Sequence, residues 1–389
     1  MIVPLWVMLV GYILAFLALY VLPSTWKVRD DNFYQPPVRS PKELASLGVC
    51  ANKKVKIQHS RETLRRIEQV QNGNLEALES VELSYITTKC DKKDDVIGDV
   101  TISMSASRPP KEHIVLVHGT GISSTAFTDR FPQEMNATTT VNLSLWDLLS
   151  QYENKDKYDL TAVDIRGHGL SEITKGPYSV ELLAADVAAL IRSEFGSSSS
   201  HPPSKIHCHG LSVGFGICMA MSVYDSDIVH TTSGSGFLFD RTKTDLAAYI
   251  FSGELVVRIF GMSSLARIGE IVMKTSSRGF LRKWMSQTHL DGYVQVASKW
   301  LNFDLTSHLA DYHVPTLFLL PEYDQDIGHT KELTVGEMNM MPRGTATLVE
   351  YPGHSHVMLS EINGARKIAK AMSSHIDKYT LSRSSETAE

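Results

Sequence analysis

The sequence has no surplus of positive charge, no internal repeat and few cysteines. Its 389 residues include 38 lysines and arginines against 43 aspartates and glutamates, a formal net charge of −5. Such a chain lacks the basic field that attracts nucleic acid, so nucleic acid binding is not expected. The four cysteines show no C-x-x-C or zinc spacing, and no metal or other cofactor is expected. Cys208 and Cys218 are predicted to be small core residues rather than reactive thiols.

No lysine or arginine precedes the long apolar run at the N-terminus. Residues 2–22 are uncharged and almost wholly apolar, and a helix needs about 20 apolar residues to cross a bilayer. Residues 1–22 are therefore predicted to form a transmembrane signal anchor. A cleaved signal peptide is the alternative, although it would need a positively charged start and a small-x-small cleavage site.

The charges after this run predict its orientation. Lys27 and Arg29 follow it closely, and the positive-inside rule then places the rest of the chain in the cytosol. The triplets that begin at Asn136 and Asn142 are acceptor sequences for glycosylation, which would require a lumenal or secreted domain. The charge bias is given more weight, and the lumenal or secreted location is the alternative.

Residues 210–214 read Gly-Leu-Ser-Val-Gly, between a strand-like stretch and a helix-compatible one. This is the G-x-S-x-G pattern of a nucleophile on a sharp strand-to-helix turn. Glycines two residues either side of Ser212 remove Cβ atoms that would clash in so tight a turn. Ser212 is therefore predicted to be a nucleophile, and an exposed serine on an ordinary turn is the alternative.

Two other loops follow strand-like runs upstream. The run 113–118 leads into His118-Gly119-Thr120-Gly121, whose glycines suit a loop that approaches a substrate carbonyl; an ordinary turn is the alternative. The run 158–163 leads into a segment that begins at Asp164. There we expect Asp164 and Arg166 to pair and to organise a loop.

Downstream, apolar runs end close to Asp324 and to Gly353-His354. Ser, Asp and His thus occur in the chain order that α/β-hydrolases show. With these segments the chain resembles the α/β-hydrolase superfamily from about residue 80 to residue 378. The resemblance implies a mostly parallel, eight-stranded sheet flanked by helices, with a helical cap inserted and, here, an N-terminal transmembrane helix.

The resemblance also implies a role for each matching residue. Ser212 attacks an ester carbonyl, His354 is the general base and Asp324 orients the imidazole. The backbone N–H groups of Thr120 and Val213 are expected to form the oxyanion hole. Family members usually have Gly three residues before the acid, and this chain has proline there. Asp326 is therefore an alternative acid.

The same interpretation divides the chain into six parts. They are the anchor (1–22), a linker and N-terminal extension (23–79), the first part of the hydrolase core (80–236), the cap (237–312), the second part of the core (313–378) and a disordered tail (379–389). Within the first part, residues 82–87 and 96–104 are predicted to be its first two strands.

These features together predict a serine hydrolase. An apolar anchor and a helical cap favour a lipophilic or lipid ester as substrate, as for the membrane-anchored, monoacylglycerol-lipase-like esterases that the chain resembles. No partner beyond this substrate and the membrane is predicted. A thioesterase, an acyltransferase or a lyase on the same fold is one alternative. A catalytically silent, hydrolase-like binding protein is the other.

Overall fold

The computed structural model describes residues 34–49, 52–71, 80–88, 111–136, 138–152, 157–176, 178–195, 206–241, 254–276 and 279–386. This part of the chain contains ten strands: β1 (Asn52–Gln58), β2 (Ser80–Thr87), β3 (Glu112–Val117), β4 (Phe131–Asn136), β5 (Thr139–Leu143), β6 (Tyr158–Asp164), β7 (Ile206–Leu211), β8 (Val229–Ser235), β9 (Thr316–Pro321) and β10 (Ala346–Tyr351).

Eight of these strands form one sheet, in the order β1-β2-β6-β3-β7-β8-β9-β10, and β4 pairs only with β5. The pairs β1–β2 and β2–β6 are antiparallel, whereas every pair from β6 to β10 is parallel. The expected fold, a mostly parallel eight-stranded sheet, is confirmed.

Helices connect and cover the strands. They are α1 (Pro41–Ser46), α2 (Arg61–Gln71), α3 (Thr125–Thr128), α4 (Leu145–Asp147), α5 (Val180–Phe195), α6 (Val213–Tyr224), α7 (Glu254–Val272), α8 (Phe280–Met285), α9 (Leu290–Trp300), α10 (Lys331–Met340) and α11 (Gly364–Glu386). Short 3-10 turns occupy Thr306–Asp311, Glu322–Ile327 and Met358–Ser360, and a π-helical turn occupies Leu148–Tyr152.

The central strand β3 shows why the sheet is buried on both faces. Side chains alternate along a strand, so Val115 and Val117 enter one apolar cluster together with α5 and α6. Ile114 and Leu116 enter the opposite cluster, which includes α11. A parallel strand covered on both sides needs such a continuous apolar run. Because β3, β7 and β9 are parallel, the loops that follow them lie at the same edge of the sheet.

The structure corrects the predicted borders of the core. The segment predicted as a linker before residue 80 contains β1 and α2, because Ile57 is buried in the core and β1 pairs along its length with β2. The tail predicted to be disordered from residue 379 continues α11 as far as Glu386. The strand predicted over residues 96–104 lies outside the described residues.

Between residues 237 and 312 the described chain is helical, as expected for a cap. It contains α7, α8, α9 and one 3-10 turn. Helix α7 bends at Gly261, which has a positive φ of 72° that glycine adopts without strain. Residues 242–253 of the predicted cap lie outside the described residues.

The predicted anchor, residues 1–22, also lies outside the described residues. Among the residues that are described, no helix is both long and apolar enough to span a bilayer. The anchor therefore stays a prediction from sequence.

Cys208 and Cys218 are both buried, as predicted for core residues. The structure also joins them by a disulfide between β7 and α6, with their Cα atoms 5.7 Å apart. The sequence interpretation did not include this pairing, because ten residues of separation give no sign that a strand and the next helix bring the two side chains together.

Candidate active site

Ser212 lies at the sharp turn between β7 and α6. Its backbone has φ 54° and ψ −127°, a conformation that non-glycine residues rarely adopt and that is typical of functional sites. A Cβ on Gly210 would lie 2.2 Å from the backbone of Gly214, and one on Gly214 would lie 2.0 Å from the Val117 carbonyl oxygen. The two glycines therefore allow the turn, which is the geometry predicted for a nucleophile.

The loop after β3 passes directly beside this serine. A Cβ on Gly119 would lie 3.0 Å from Ser212 Cβ and 2.9 Å from the Leu211 carbonyl oxygen. Thr120 and Ser212 line the same cleft. Val213 is the first residue of α6, so its N–H has no carbonyl partner within the helix. The predicted oxyanion-hole residues thus flank the predicted nucleophile.

Two buried histidines support this loop. Burial lowers the pKa of His118 to about 4 and that of His168 to about 3, so both are neutral near pH 7. His118 Nε2 accepts the Ile165 N–H at 3.1 Å, so its Nδ1–H donates to the Gly119 carbonyl at 2.8 Å. The Gly121 N–H donates to His168 Nε2 at 3.0 Å. The loop is therefore tied to the segment after β6.

That segment is organised differently from the prediction. Asp164 does not pair with Arg166; its carboxylate accepts the backbone N–H groups of Ser124 and Leu170, at 2.8 and 3.0 Å. Arg166 instead bonds Asp186 on α5 through two N–H groups, at 2.8 and 2.7 Å. The expected pair was wrong because Asp186, twenty residues later on α5, supplies the carboxylate. The two hydrogen bonds of this bidentate contact suit a buried pair of opposite charges.

Asp324 lies in the 3-10 turn that follows β9 and is fully buried. Its Oδ1 lies 3.0 Å from His356 Nδ1. Burial alone would raise the pKa of this carboxyl, but attraction to His356 and the imidazole N–H groups of His329 and His356 that face it lower the pKa to about 2. Asp324 is therefore an ionised, imidazole-bonded acid. Asp326 belongs to the same turn, and the structure does not describe its side chain.

The histidine beside this acid is His356, and the expectation that His354 occupies that place is corrected. His354 Nδ1 donates to Glu361 at 2.7 Å, and its Nε2 accepts from Lys367 Nζ at 2.7 Å. These two partners, Glu361 just before α11 and Lys367 on it, occupy both ring nitrogens of His354. His356 has room because Gly236 has no side chain: a Cβ there would lie 2.1 Å from His356 Cε1.

His329, five residues after Asp324, is a site residue that the sequence interpretation missed. Burial and the nearby Arg241 lower its pKa to about 3, so its imidazole is neutral. Its Nε2 bonds Arg241 Nη1 and must be the acceptor, because a guanidinium has only donors. The proton therefore sits on His329 Nδ1, which faces Asp324 Oδ2 at 3.7 Å.

Asp324, His329 and His356 also bring three ligand atoms within 4.8 Å of one another, a spacing that a metal ion would fit. A metal on His329 Nδ1 would need that atom unprotonated. The proton would then have to lie on Nε2, where it would face the Arg241 donor. The geometry therefore favours a carboxylate that His356 bonds at 3.0 Å and that the N–H of His329 faces at 3.7 Å.

A cleft of about 820 Å³, part of it open to solvent, adjoins these residues. Ser212 and His356 both line it, together with Gly119 and Thr120. Cap helices supply most of the apolar wall, which includes Leu265, Met273, Leu281 and Met285. A serine on a strained turn and a histidine hydrogen-bonded to an ionised acid thus line one cleft, and these are the residue types that acyl transfer uses.

Comparisons with known proteins concern the family and the fold of the chain. Residues 114–366 match the sequence model of the alpha/beta hydrolase family. No curated protein sequence matches the chain. Among solved structures, it is similar to a thermophilic esterase from Thermogutta terrifontis, with a TM-score of 0.59 and 17% identity over 84% of this chain and 99% of the esterase.

It is also similar to a membrane phospholipase A, with a TM-score of 0.55 and 16% identity over 96% of this chain and 98% of that one. An enol-lactonase from Burkholderia xenovorans LB400 has a TM-score of 0.53 and 18% identity over 76% of this chain and 96% of the lactonase. At these identities the likeness concerns the fold.

Proposed function

Because the chain belongs to the alpha/beta hydrolase family, we propose that it is a serine hydrolase that cleaves a carboxylic ester through Ser212, His356 and Asp324. One observation carries this proposal. The His356 imidazole lies 3.0 Å from the buried Asp324 carboxylate, beside a cleft that Ser212 also lines. His356 replaces His354 as the proposed base, and Asp326 stays the alternative acid.

The chemistry follows from the protonation states. Asp324 accepts the Nδ1–H of His356, which leaves Nε2 as the base for the Ser212 hydroxyl. As Ser212 Oγ attacks the ester carbonyl carbon, His356 takes its proton, and the backbone N–H groups of Val213 and Thr120 stabilise the oxyanion. His356 then gives the proton to the leaving alcohol. Water then takes the place of the alcohol and attacks the acyl-enzyme, while His356 accepts its proton. His356 returns this proton to Ser212 as the acid leaves.

Two features support a lipophilic substrate. The cap helices line the cleft with aliphatic and methionine side chains, which favour burial of an apolar chain. The predicted anchor at residues 1–22 would hold the enzyme at a membrane, where such esters concentrate. We therefore propose a membrane-attached esterase or lipase-like enzyme.

The test is active-site labelling with a fluorophosphonate probe, combined with turnover of short 4-nitrophenyl esters. We expect the wild type to be labelled and active. Ser212→Ala should lose the label and nearly all turnover while its thermal unfolding stays close to that of the wild type. Without the nucleophile, catalysis can exceed that of water by only about 10³–10⁴-fold. A wild type that resists the probe and turns over no ester would favour the silent binding protein.

Matched histidine variants test the corrected assignment. His356→Gln should lose on the order of 10³-fold or more in kcat, because no base then activates Ser212. His354→Gln changes a buried histidine of the same loop that bonds Glu361 and Lys367, so it should keep most of the activity. The opposite ranking would restore His354 as the base.

A further inference from the structure

The backbone places His329 directly beside the acid of the site. The 3-10 turn that carries Asp324 ends at Gly328, whose φ of 88° is a left-handed conformation that glycine adopts without strain. The next residue is His329, and its backbone N–H donates to the Asp324 carbonyl oxygen at 3.0 Å. Thr330 then begins α10, because its side chain accepts the Leu333 N–H. His329 is therefore held between a turn and a capped helix.

The side chains of His329 and Asp324 face each other through two buried polar atoms. Asp324 Oδ1 is bonded to His356. Within the part of the chain that the structure describes, the other carboxylate oxygen, Oδ2, has no hydrogen-bond partner, and neither has His329 Nδ1. These two atoms lie 3.7 Å apart. Since an unpaired buried donor and an unpaired buried acceptor are both costly, each atom is the partner that the other requires.

The opposite ring nitrogen of His329 is already bonded. Its Nε2 contacts the Arg241 guanidinium, which can only donate. The single proton of the neutral ring therefore lies on Nδ1 and is directed at Asp324. Burial and Arg241 lower the pKa of His329 to about 3, so near pH 7 the ring acts as a neutral donor and does not exchange charge with the acid.

A carboxylate that is bonded through one oxygen can still turn, because the terminal torsion of an aspartate is broad. We propose that His329 is a positioning residue, whose Nδ1–H holds Asp324 Oδ2 so that Oδ1 stays aligned with the His356 imidazole during catalysis. The inference rests on the proposed function and deepens it. Catalytic hydrogen bonds often tighten only as the transition state forms, and we expect the 3.7 Å separation to shorten in the same way.

Two amide substitutions distinguish the two nitrogens of His329. The short side chain of asparagine brings its N–H₂ close to the place of Nδ1, so His329→Asn keeps a donor for Asp324. The longer glutamine reaches the place of Nε2, so His329→Gln keeps an acceptor for Arg241. We expect His329→Gln to lower kcat about 10- to 100-fold, the range for one hydrogen bond to a charged group. His329→Asn should stay within about threefold of the wild type, and KM should change little in either variant.

The two variants should rank in the opposite order in stability. His329→Gln keeps the buried guanidinium bonded, whereas His329→Asn removes its acceptor. Urea unfolding should therefore find His329→Gln the more stable of the two. If His329 served only as the structural partner of Arg241, His329→Gln would be the better variant in both kcat and stability. That result, or equal kcat in both variants and the wild type, would overturn the proposal.

A second background shows whether His329 acts through Asp324. In Asp324→Asn no carboxylate is left to position, so adding His329→Gln should lower kcat by less than about threefold. A loss as large as in the wild-type background would overturn the proposal. His375 supplies the matched control: it is a buried histidine of α11 that donates to the Pro315 carbonyl at 3.3 Å, before β9 rather than after it. His375→Asn and His375→Gln should leave kcat unchanged.

A measurement without turnover separates this inference from the proposed function. In the full-length Ser212→Ala protein with ¹⁵N-labelled histidine, the His356 Nδ1–H resonance should be sharp with His329 or with His329→Asn. In His329→Gln it should be broadened by exchange with water. This pattern in a wild type that turns over no ester would refute the hydrolase and keep the positioning role. An active, probe-labelled enzyme in which the resonance and kcat are the same in both variants would refute the positioning role and leave the hydrolase intact.

Discussion

Glu337 should make the stability of the protein depend on pH in a direction opposite to that of most carboxylates. It lies in α10 and is buried, and its Oε1 accepts the Asp240 N–H at 2.8 Å. Burial, the largest cause, raises its pKa from 4.5 to about 7, with a smaller contribution in the same direction from Asp240. The folded protein therefore holds a proton there that the unfolded chain releases.

The sign and size follow from linkage. A folded-state pKa above the unfolded value means that stability is fully present below pH 4.5 and is lost as the pH rises through about 7. A shift of this size corresponds to about 3 kcal/mol, at about 1.4 kcal/mol per pKa unit. Glu337→Gln keeps an oxygen for the Asp240 N–H but carries no charge, so it avoids that loss.

Urea unfolding of wild type and Glu337→Gln at pH 5, 6, 7 and 8 measures this effect. The variant should gain free energy of unfolding over the wild type as the pH rises, by about 3 kcal/mol in total from pH 4.5 to 8. Glu332→Gln, an exposed glutamate on the same helix, should show no such trend. A difference that is constant with pH, or that shrinks as pH rises, would show that Glu337 is ionised in the folded protein.

Three other predictions concern the site and its compartment. Asp324→Asn should lower kcat by about 10⁴-fold through the wrong imidazole tautomer, and Asp326→Asn should cost far less; the reverse ranking would make Asp326 the acid. Gly236→Ala should lower kcat more than it raises KM, because the new methyl would displace the imidazole of His356, the proposed base; unchanged kinetics would contradict this placement. Protease outside sealed microsomes should digest the domain, as the charges after residue 22 predict, whereas protection and a glycosidase-sensitive mass at the exposed Asn136 would establish the lumenal alternative.

The parts of the site that sequence predicted are those fixed by backbone geometry. A nucleophile elbow needs glycines at fixed offsets from the serine, so residues 210–214 identified both the turn and Ser212. The run 113–118 could be recognised as a strand because a parallel strand buried on two faces needs consecutive apolar residues. Its loop then had to lie beside the elbow, since β3 and β7 are neighbours with parallel carboxyl ends.

The parts that sequence misassigned depend on side chains brought together from distant segments. Nothing near Arg166 indicates that its carboxylate partner is Asp186, twenty residues later on a helix. Likewise, the contact of His329 with Asp324 depends on a tautomer set by Arg241, a residue from the loop after β8. Local patterns carry no information on such contacts.

The sequence pattern alone could not distinguish between the two histidines of the last loop, His354 and His356. His354 follows a glycine, as in the family pattern, but Lys367 and Glu361 occupy both of its ring nitrogens. A base needs one nitrogen free to accept the serine proton, so these two contacts are the reason that His356 rather than His354 is the proposed base. The space for His356 comes from Gly236, directly after β8, whose positive φ of 74° and missing side chain leave room for the imidazole. The assignment of His356 as the proposed base therefore depends on the two partners of His354, Glu361 before α11 and Lys367 on it, and on a glycine more than a hundred residues upstream.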